Sequence, residues 1–150
     1  MPTIGQPAPD FALPSTAGGE VTLSSFRGKQ NVLVAFFPLA FTAPCTAEMC
    51  AFSEDHSKFE RAGTRVLPVS VDAVPSLKAF KEKERMSVDL LSDFHRVASR
   101  AYGTLIEDKN LSKRAYFLVD KQGVLRWSHV EAELGHRRED GDLLAEIAKL

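Results

Sequence analysis

The sequence predicts an α/β fold in which helices flank one central mixed β-sheet. Three observations support this prediction. The apolar run at residues 32–37 has the length and composition of a buried strand. Apolar residues recur at helical spacing in the segment that follows residue 44. Residues 120–123, Asp-Lys-Gln-Gly, separate two apolar segments and predict a hairpin, which makes the last two strands antiparallel.

Residues 1–30 predict an N-terminal β-hairpin extension. Its strands are 11–13 and 20–23, and the turn-forming residues 15–19 join them. Residues 24–28 then predict a single helical turn that ends at a glycine.

The rest of the chain alternates strands with helices. A long helix over 44–62 ends at Gly63, and a right-handed parallel crossover then leads into the next strand. Pro68 lies inside that strand, where it cannot donate to a ladder, so we expect a bulge or an edge there. Residues 104–113 predict a loop. The predicted strands are 31–37, 65–71, 88–91, 115–119 and 124–128, and the later helices are 76–85, 94–102 after a capping Asp93, and one capped by Asp140 or Asp142. The core order, β-α-β-α-β-β-α, is the thioredoxin-like arrangement.

The composition is ordinary for a soluble globular protein, with 44% hydrophobic and 26% charged residues. The length predicts one domain over residues 1–150. A net charge of −1 predicts no nucleic-acid partner. No long apolar run or signal-peptide pattern occurs, which predicts no membrane partner and a cytoplasmic location. The two cysteines lack the usual metal-ligand spacing, so we predict no metal or cofactor, and in a reducing compartment they suit redox chemistry.

Cys45 stands where a predicted strand gives way to a predicted helix. Pro44 suits a first helical turn because its missing N–H has no intrahelical partner, so the helix should begin near Pro44. The positive end of the helix dipole and the free N–H groups then favour the thiolate of Cys45, which is the reactive form of cysteine. The alternative is that Cys45 is a small buried hydrophobic residue.

Two polar residues are candidates for assisting this sulfur. Thr42 lies three residues before Cys45, and its hydroxyl can donate to the sulfur or to a bound oxygen, unless it only caps the helix. Arg114 directly precedes an apolar strand whose start could lie near the mouth of the first helix; the alternative is a solvated strand-end charge. Together these groups suit displacement at a peroxide oxygen, because the leaving oxygen needs donors.

Glu48 lies one turn after Cys45, where an unpaired carboxylate would repel a thiolate. We predict that Glu48 pairs with Arg114 and orients it. The alternative is an acidic residue that merely suits the first turns of a helix.

Cys50 is the only internal thiol that can condense with a sulfenic acid formed on Cys45. Five residues of helix separate two Cα atoms by roughly 8.6 Å, and disulfides rarely span more than about 6.8 Å. We therefore expect the first turns of the helix to unwind when a Cys45–Cys50 disulfide forms. The alternative is that Cys50 is an inert core residue.

These residues resemble the peroxiredoxin family. The pattern Pro-x-x-x-Thr-x-x-Cys occurs as Pro38, Thr42 and Cys45, and a distant arginine occurs as Arg114 before Tyr-Phe-Leu-Val-Asp. The similarity runs from residues 5–11 to the final helix.

The subgroup is mixed. Residues 36–42, Phe-Phe-Pro-Leu-Ala-Phe-Thr, look most like the one-cysteine alkyl hydroperoxide reductase E type. Cys50 resembles the resolving cysteine of the bacterioferritin-comigratory-protein type, which lies in the same helix five residues after the first cysteine.

The resemblance implies a thiol-dependent peroxidase that reduces hydrogen peroxide and organic hydroperoxides. Cys45 is then the peroxidatic residue, and Pro38, Thr42 and Arg114 complete its pocket. It further implies recycling by thioredoxin or a similar dithiol, and we expect a monomer or homodimer. Pro44 departs from the small residue expected directly before the cysteine, and it removes one backbone donor.

Other classes of protein fit less well. A disulfide oxidoreductase would place Cys-x-x-Cys at the helix start, which is missing here. A cysteine hydrolase needs a histidine base, and the sequence does not indicate that any of its 4 histidines lies near Cys45. The alternative function that stays open is a thioredoxin-like redox relay or sensor without peroxidase turnover.

Overall fold

The computed structural model describes residues 1–150 and is built around a five-stranded mixed β-sheet. Its elements, in chain order, are β1 (Ala12–Pro14), β2 (Glu20–Thr22), a 3₁₀ helix (Leu23–Phe26), β3 (Asn31–Phe36), α1 (Ala43–Glu54), α2 (His56–Arg61), β4 (Thr64–Ser70), α3 (Val74–Glu84), β5 (Leu91–Ser92), α4 (Val97–Ala101), β6 (Leu105–Ile106), β7 (Leu111–Ser112), β8 (Ala115–Val119), β9 (Leu125–Val130) and α5 (Asp140–Ile147). None of these helices has both the length and the apolar character needed to cross a membrane.

The sheet has the strand order β5-β4-β3-β8-β9, with β3, β4 and β5 parallel and β8 antiparallel to both of its neighbours. This mixed sheet with flanking helices is the predicted fold class. The predicted N-terminal hairpin is also present, as an antiparallel pair of β1 and β2.

Alternate residues of the central strands pack on opposite faces of the sheet, as strand geometry requires. One face carries α1, α3 and α5, and the other carries the N-terminal hairpin and α4. In β8, Tyr116 and Leu118 belong to the first face, whereas Phe117 belongs to the second. The strand register therefore fixes which side chains of β8 meet α1.

The predicted helix over 44–62 is divided into α1 and α2 at Asp55. The carbonyl of Ser53, which an unbroken helix would offer to residue 57, accepts a hydrogen bond from Ser87 Oγ at 3.0 Å. The amide of Ser87 also donates to Ser53 Oγ at 3.0 Å. A contact distant in sequence thus competes with the helix ladder at this point.

Pro68 lies in an unbroken parallel register between β3 and β4, opposite Ala35, so of the two predicted alternatives the bulge is absent and the edge is present. The pairing of β4 with β5 begins only at Val69. At Pro68 the strand has no partner on its β5 side, which satisfies the restriction that proline places on a sheet interior.

Three further predictions needed correction. Residues 104–113 form the two short antiparallel strands β6 and β7, and Asn110 supplies the left-handed turn conformation, with a φ of 56°. The predicted strand 88–91 is replaced by the shorter strand β5, which covers only Leu91–Ser92. The helix predicted over 94–102 begins only at Val97, although Asp93 does accept from the amides of Ala98 and Ser99 in its first turn.

The start of α5 carries a buried acidic side chain, Asp140, and neither Asp140 nor Asp142 is the capping residue that the sequence predicted. The helix is preceded by Glu139, which makes no side-chain cap, and Asp140 is buried. Its carboxyl group faces that of Asp55, and the two can hydrogen-bond only when one of them is protonated. Burial, together with the neighbouring Asp55, raises the pKa of Asp140 to about 7.

This raised pKa makes the stability of the fold depend on pH. The ordinary value for Asp140 is 3.8 and the folded value is about 7, so between these pH values the folded protein holds a proton that the unfolded chain has released. The free energy of unfolding should therefore fall as pH rises through this window, by about 1.4 kcal/mol for each unit of displaced pKa. Asp140→Asn should flatten this slope and make the variant more stable than the wild type at pH values above 7, as measured by urea denaturation.

Asp142→Asn is the matched control, because Asp142 lies in the same helical turn but is exposed. It should leave the wild-type slope unchanged. An unaltered slope in Asp140→Asn would show that the buried carboxyl group of Asp140 does not carry the effect.

Candidate active site

Cys45 lies in the first turn of α1, as predicted, and only 1% of its surface is exposed. Thr42 precedes the helix in an extended conformation, and Pro44 occupies one of the first two helical positions. Proline there loses no intrahelical hydrogen bond. The helix start therefore presents the sulfur next to free backbone amides and the positive end of the dipole.

The loop between β3 and α1 is fixed by a residue that follows β4. The Asp72 carboxylate accepts from the amide of Ala40 at 2.9 Å and from Ser70 Oγ at 2.7 Å. Phe41 adopts a left-handed conformation with a φ of 66°, and its ring packs against Phe80 with 5.0 Å between the ring centroids. A non-glycine residue in this conformation is strained, which is a recurrent property of functional sites.

Arg114 reaches both of the groups that the sequence predicted for it. Its Nη2 donates to Cys45 Sγ at 3.0 Å, and its Nη1 donates to Glu48 Oε1 at 2.8 Å. Nη2 also donates to the carbonyl oxygen of Leu134 at 3.1 Å. Only 1% of Arg114 is exposed, so the solvated strand-end alternative is wrong.

Glu48 is fully buried and is held at both carboxylate oxygens. Arg114 donates to Oε1, and the hydroxyl of Tyr116 donates to Oε2 in a short hydrogen bond. The Tyr116 hydroxyl in turn accepts from the amide of Arg138 at 3.0 Å. The helix, the strand β8 and the segment before α5 thus meet at one carboxylate.

Burial and charge act against each other within this cluster. Burial raises the pKa of Glu48, although the charge of Arg114 and the Tyr116 hydrogen bond oppose the rise. Burial by itself would lower the pKa of Arg114, but the neighbouring Glu48 and Cys45 raise it above its ordinary value. Burial and the Glu48 carboxylate also raise the pKa of Tyr116, so its hydroxyl stays a donor.

Thr42 does not make its predicted contact. Its hydroxyl donates to the carbonyl oxygen of Leu39 at 2.7 Å, and it caps no amide of α1. Neither the sulfur contact nor the helix-capping alternative is therefore present, and a catalytic role for Thr42 stays a prediction.

The two remaining predicted site residues, Pro38 and Cys50, differ in burial and in location. Pro38 is buried just after β3, at the base of the loop. Cys50 is half-buried in α1, and its thiol lies 3.9 Å from Glu84 Oε2. Both cysteines are free thiols, and the unbroken α1 keeps them apart. The unwinding that a disulfide requires stays a prediction.

Sequence reasoning missed Tyr116 as a site residue. A signal for it existed, because Tyr116 lies two residues after Arg114 and a strand places such residues on one face. The carbonyl oxygen of Leu134 and the amide of Arg138 have no such signal, since any residue supplies them.

The arrangement suits nucleophilic chemistry at sulfur. A guanidinium that is fixed on one side by Glu48 presents a charge-assisted donor to the sulfur on the other. No cluster of three histidine, cysteine or acidic side chains is arranged to hold a metal ion.

Comparisons with known proteins agree with this chemistry. A family model described as the AhpC/TSA family matches residues 4–128. The 2-Cys peroxiredoxin BAS1, chloroplastic, of Spinacia oleracea is 39% identical over 140 residues, which are 87% of this chain and 53% of that protein. The chain thus spans about half the length of this relative.

Two further relatives match more completely. Alkyl hydroperoxide reductase E of Mycobacterium tuberculosis is 35% identical over 151 residues, covering 98% of this chain and 99% of that protein. The crystal structure of reduced Plasmodium vivax 2-Cys peroxiredoxin superposes with a TM-score of 0.91 at 31% identity, covering 98% of this chain and 81% of that one. On this evidence the chain belongs to the AhpC/TSA family and is a peroxiredoxin, a thiol-dependent peroxidase.

Proposed function

We propose that Cys45 is the peroxidatic residue and that Arg114 is the main donor in its reaction with hydrogen peroxide or an organic hydroperoxide. The Cys45 thiolate attacks one peroxide oxygen, so an S–O bond forms while the O–O bond breaks. The other oxygen leaves, takes up a proton and becomes water or an alcohol. The cysteine is oxidised to a sulfenic acid and the peroxide is reduced.

The observation that carries this proposal is the buried hydrogen bond of 3.0 Å from Arg114 Nη2 to Cys45 Sγ. Ionisation of a thiol cannot account for fast catalysis, because an ordinary thiol is already a few per cent ionised at neutral pH and full ionisation gains only about 30-fold. The larger gain requires donors directed at charge that develops on the leaving oxygen. Arg114 is a fixed donor within reach of that position.

We also propose that Cys50 resolves the sulfenic acid as an intramolecular disulfide. The Cys50 thiolate attacks the Cys45 sulfur, the S–S bond forms, and hydroxide leaves to become water. Burial and the charges of Glu84 and Glu54 raise the pKa of Cys50, which disfavours its thiolate while α1 is intact. Unwinding of the helix would both bring the sulfurs together and release Cys50 from these acidic neighbours.

A dithiol protein of the thioredoxin type is the proposed reductant of this disulfide. The reductant is oxidised to its own disulfide as the two cysteines regain their protons. We further propose a monomer or homodimer that works in the cytoplasm, where a reducing environment would sustain this cycle. The relative from Spinacia oleracea is named chloroplastic, so the compartment is a property to test in this protein.

Cys45→Ser tests the assignment of the attacking sulfur. A hydroxyl at this position is a far weaker nucleophile, so consumption of peroxide should fall at least a thousandfold in an assay with thioredoxin and its reductase. Cys50→Ser is the matched control, because it should retain the first, stoichiometric turnover. A Cys45→Ser protein that consumes peroxide at the wild-type rate would overturn the assignment.

Cys50→Ser also tests the resolving step. After one equivalent of hydrogen peroxide, the mass of the wild-type chain should fall by two hydrogens, whereas the variant should gain one oxygen. Recycling of the variant by thioredoxin should be strongly impaired. If the wild-type chain forms no internal disulfide, Cys50 is not the resolving residue. Rapid oxidation of Cys45 without turnover by any dithiol would instead support the relay or sensor alternative.

Glu48→Gln tests whether the carboxylate orients Arg114. The amide keeps the size of the side chain but removes the buried negative charge, and a hydrogen bond to a charged group contributes about 1.5–3 kcal/mol. The rate of Cys45 oxidation by peroxide should therefore fall roughly tenfold or more, measured by quenching with an alkylating reagent and intact mass analysis. Unchanged peroxide reactivity in a folded variant would refute the orienting role.

A further inference from the structure

We infer that Tyr116 is a positioning residue for peroxide reduction, which holds Glu48 so that Arg114 stays directed at the Cys45 sulfur. This inference rests on the proposed roles of Cys45 and Arg114, and it assigns the tyrosine hydroxyl a part in the same reaction. Tyr116 makes no hydrogen bond to the sulfur, and it acts through Glu48.

The first step is the geometry of the carboxylate. Arg114 occupies Glu48 Oε1 and Tyr116 occupies Oε2, so the carboxylate cannot rotate without losing a hydrogen bond. The guanidinium cannot turn either, because its Nη1 is bound to this carboxylate while its Nη2 contacts the sulfur. The Tyr116 hydroxyl therefore restrains the direction of the donor at the reacting atom.

The second step concerns the segment 131–139, between β9 and α5. The carbonyl oxygen of Leu134 accepts from Arg114 Nη2 at 3.1 Å, and the amide of Arg138 donates to the Tyr116 hydroxyl at 3.0 Å. Two points of the segment are thus tied to the site, one through the arginine and one through the tyrosine. Removal of the hydroxyl would free the second point and leave a backbone amide without its partner.

The third step compares the role of the Tyr116 hydroxyl with the role of its ring. Tyr116 is completely buried and its ring belongs to the same apolar cluster as Met49 and Leu118. Phenylalanine would fill this space equally well, so the ring accounts for packing but not for a tyrosine. The partners of the hydroxyl are Glu48 and the amide of Arg138, both of which belong to the site or to its covering segment.

The fourth step is electrostatic. A buried carboxylate tends to take up a proton, and a protonated Glu48 would no longer attract Arg114. The Tyr116 hydrogen bond opposes that protonation, because it lowers the pKa of Glu48. The charged groups that face this carboxylate are Arg114 and, more distantly, Arg137, while Asp140 adds a nearby acidic group. Tyr116 is a neutral donor, so it stabilises the negative charge of Glu48 without adding a charge to the site.

Tyr116→Phe is the test, with Tyr102→Phe as the matched control. Tyr102 is the other tyrosine; it is also completely buried, and its hydroxyl donates to the carbonyl oxygen of Pro9 at 2.6 Å on the opposite face of the sheet. Both variants lose one buried hydroxyl, although Tyr116→Phe should lose more stability because its hydroxyl bonds a carboxylate as well as a backbone amide, so the rates are compared where both variants are fully folded. Only Tyr116→Phe should slow the oxidation of Cys45 by hydrogen peroxide, by about tenfold.

A second readout distinguishes positioning from general loosening of the fold. Without the Tyr116 donor the pKa of Glu48 rises further, so the acid limb of the rate of Cys45 oxidation should move to higher pH in Tyr116→Phe and not in Tyr102→Phe. In a Glu48→Gln background, Tyr116→Phe should have little additional effect on the rate, because the tyrosine acts through that carboxylate.

The outcomes separate this inference from the proposed function. A wild-type protein whose Cys45 does not react with peroxide would overturn both. A reactive wild type, together with a Tyr116→Phe variant that keeps the wild-type rate and pH profile, would overturn the inference alone. Equal slowing in both tyrosine variants would also overturn it, since loss of a buried hydroxyl anywhere would then suffice.

Discussion

A buried ion pair between Arg114 and Glu48 is the interaction on which the rest of the site depends. Both side chains are almost fully removed from water, and the arginine also contacts the sulfur of Cys45. Breaking such a pair from one side leaves an uncompensated buried charge and typically costs about 3–5 kcal/mol. A buried ion pair is by itself poor evidence that the fold is more stable. Here it fixes the direction of the Arg114 guanidinium, which contacts both Glu48 and Cys45.

The fold brings together residues that are far apart in the sequence, since Glu48 and Arg114 are separated by 66 positions. Arg114 is separated from Cys45 by 69 positions in sequence, yet the central place of β3 in the sheet puts the start of β8 beside the end of β3. The helix α1 begins shortly after the same end of β3. The antiparallel pairing of β3 with β8 thus delivers the cation to the mouth of the helix, and the loop anchored by Asp72 shapes the space between them.

Those parts of the molecule that depend on local patterns were predictable from the sequence. Residues 32–36 of β3 form an uninterrupted apolar run, and the start of α1 follows from Pro44, so both elements were located within about one residue. The contact of Arg114 with Cys45 was only a candidate from the sequence, and it forms because β8 runs antiparallel to β3 and starts beside the end of β3, shortly before α1 begins. Tyr116 was overlooked although the period of a strand places it beside Arg114.

Two of the remaining differences arise from contacts between residues that are distant in sequence, and one is local. The division of the predicted long helix depends on Ser87, 34 positions from the serine whose carbonyl it engages. The local difference is the Thr42 hydroxyl, which donates to Leu39 three positions earlier, next to a left-handed Phe41 whose conformation its residue type disfavours. The buried carboxyl group of Asp140 depends on the docking of α5, which brings it against Asp55. Residue propensities and sequence spacing do not predict these three features.

The position of Glu48 has a consequence for how this protein tolerates excess oxidant. Glu48 lies in α1 between the two cysteines and is anchored at both oxygens, so the helix can open only against that anchor. While an oxidised sulfur waits, a second oxidant molecule can convert it to a sulfinic acid, which neighbouring thiols do not reverse. If α1 has to unwind for Cys50 to resolve the sulfenic acid, as proposed above, the anchorage that orients Arg114 also lengthens the interval in which the sulfur can be oxidised irreversibly.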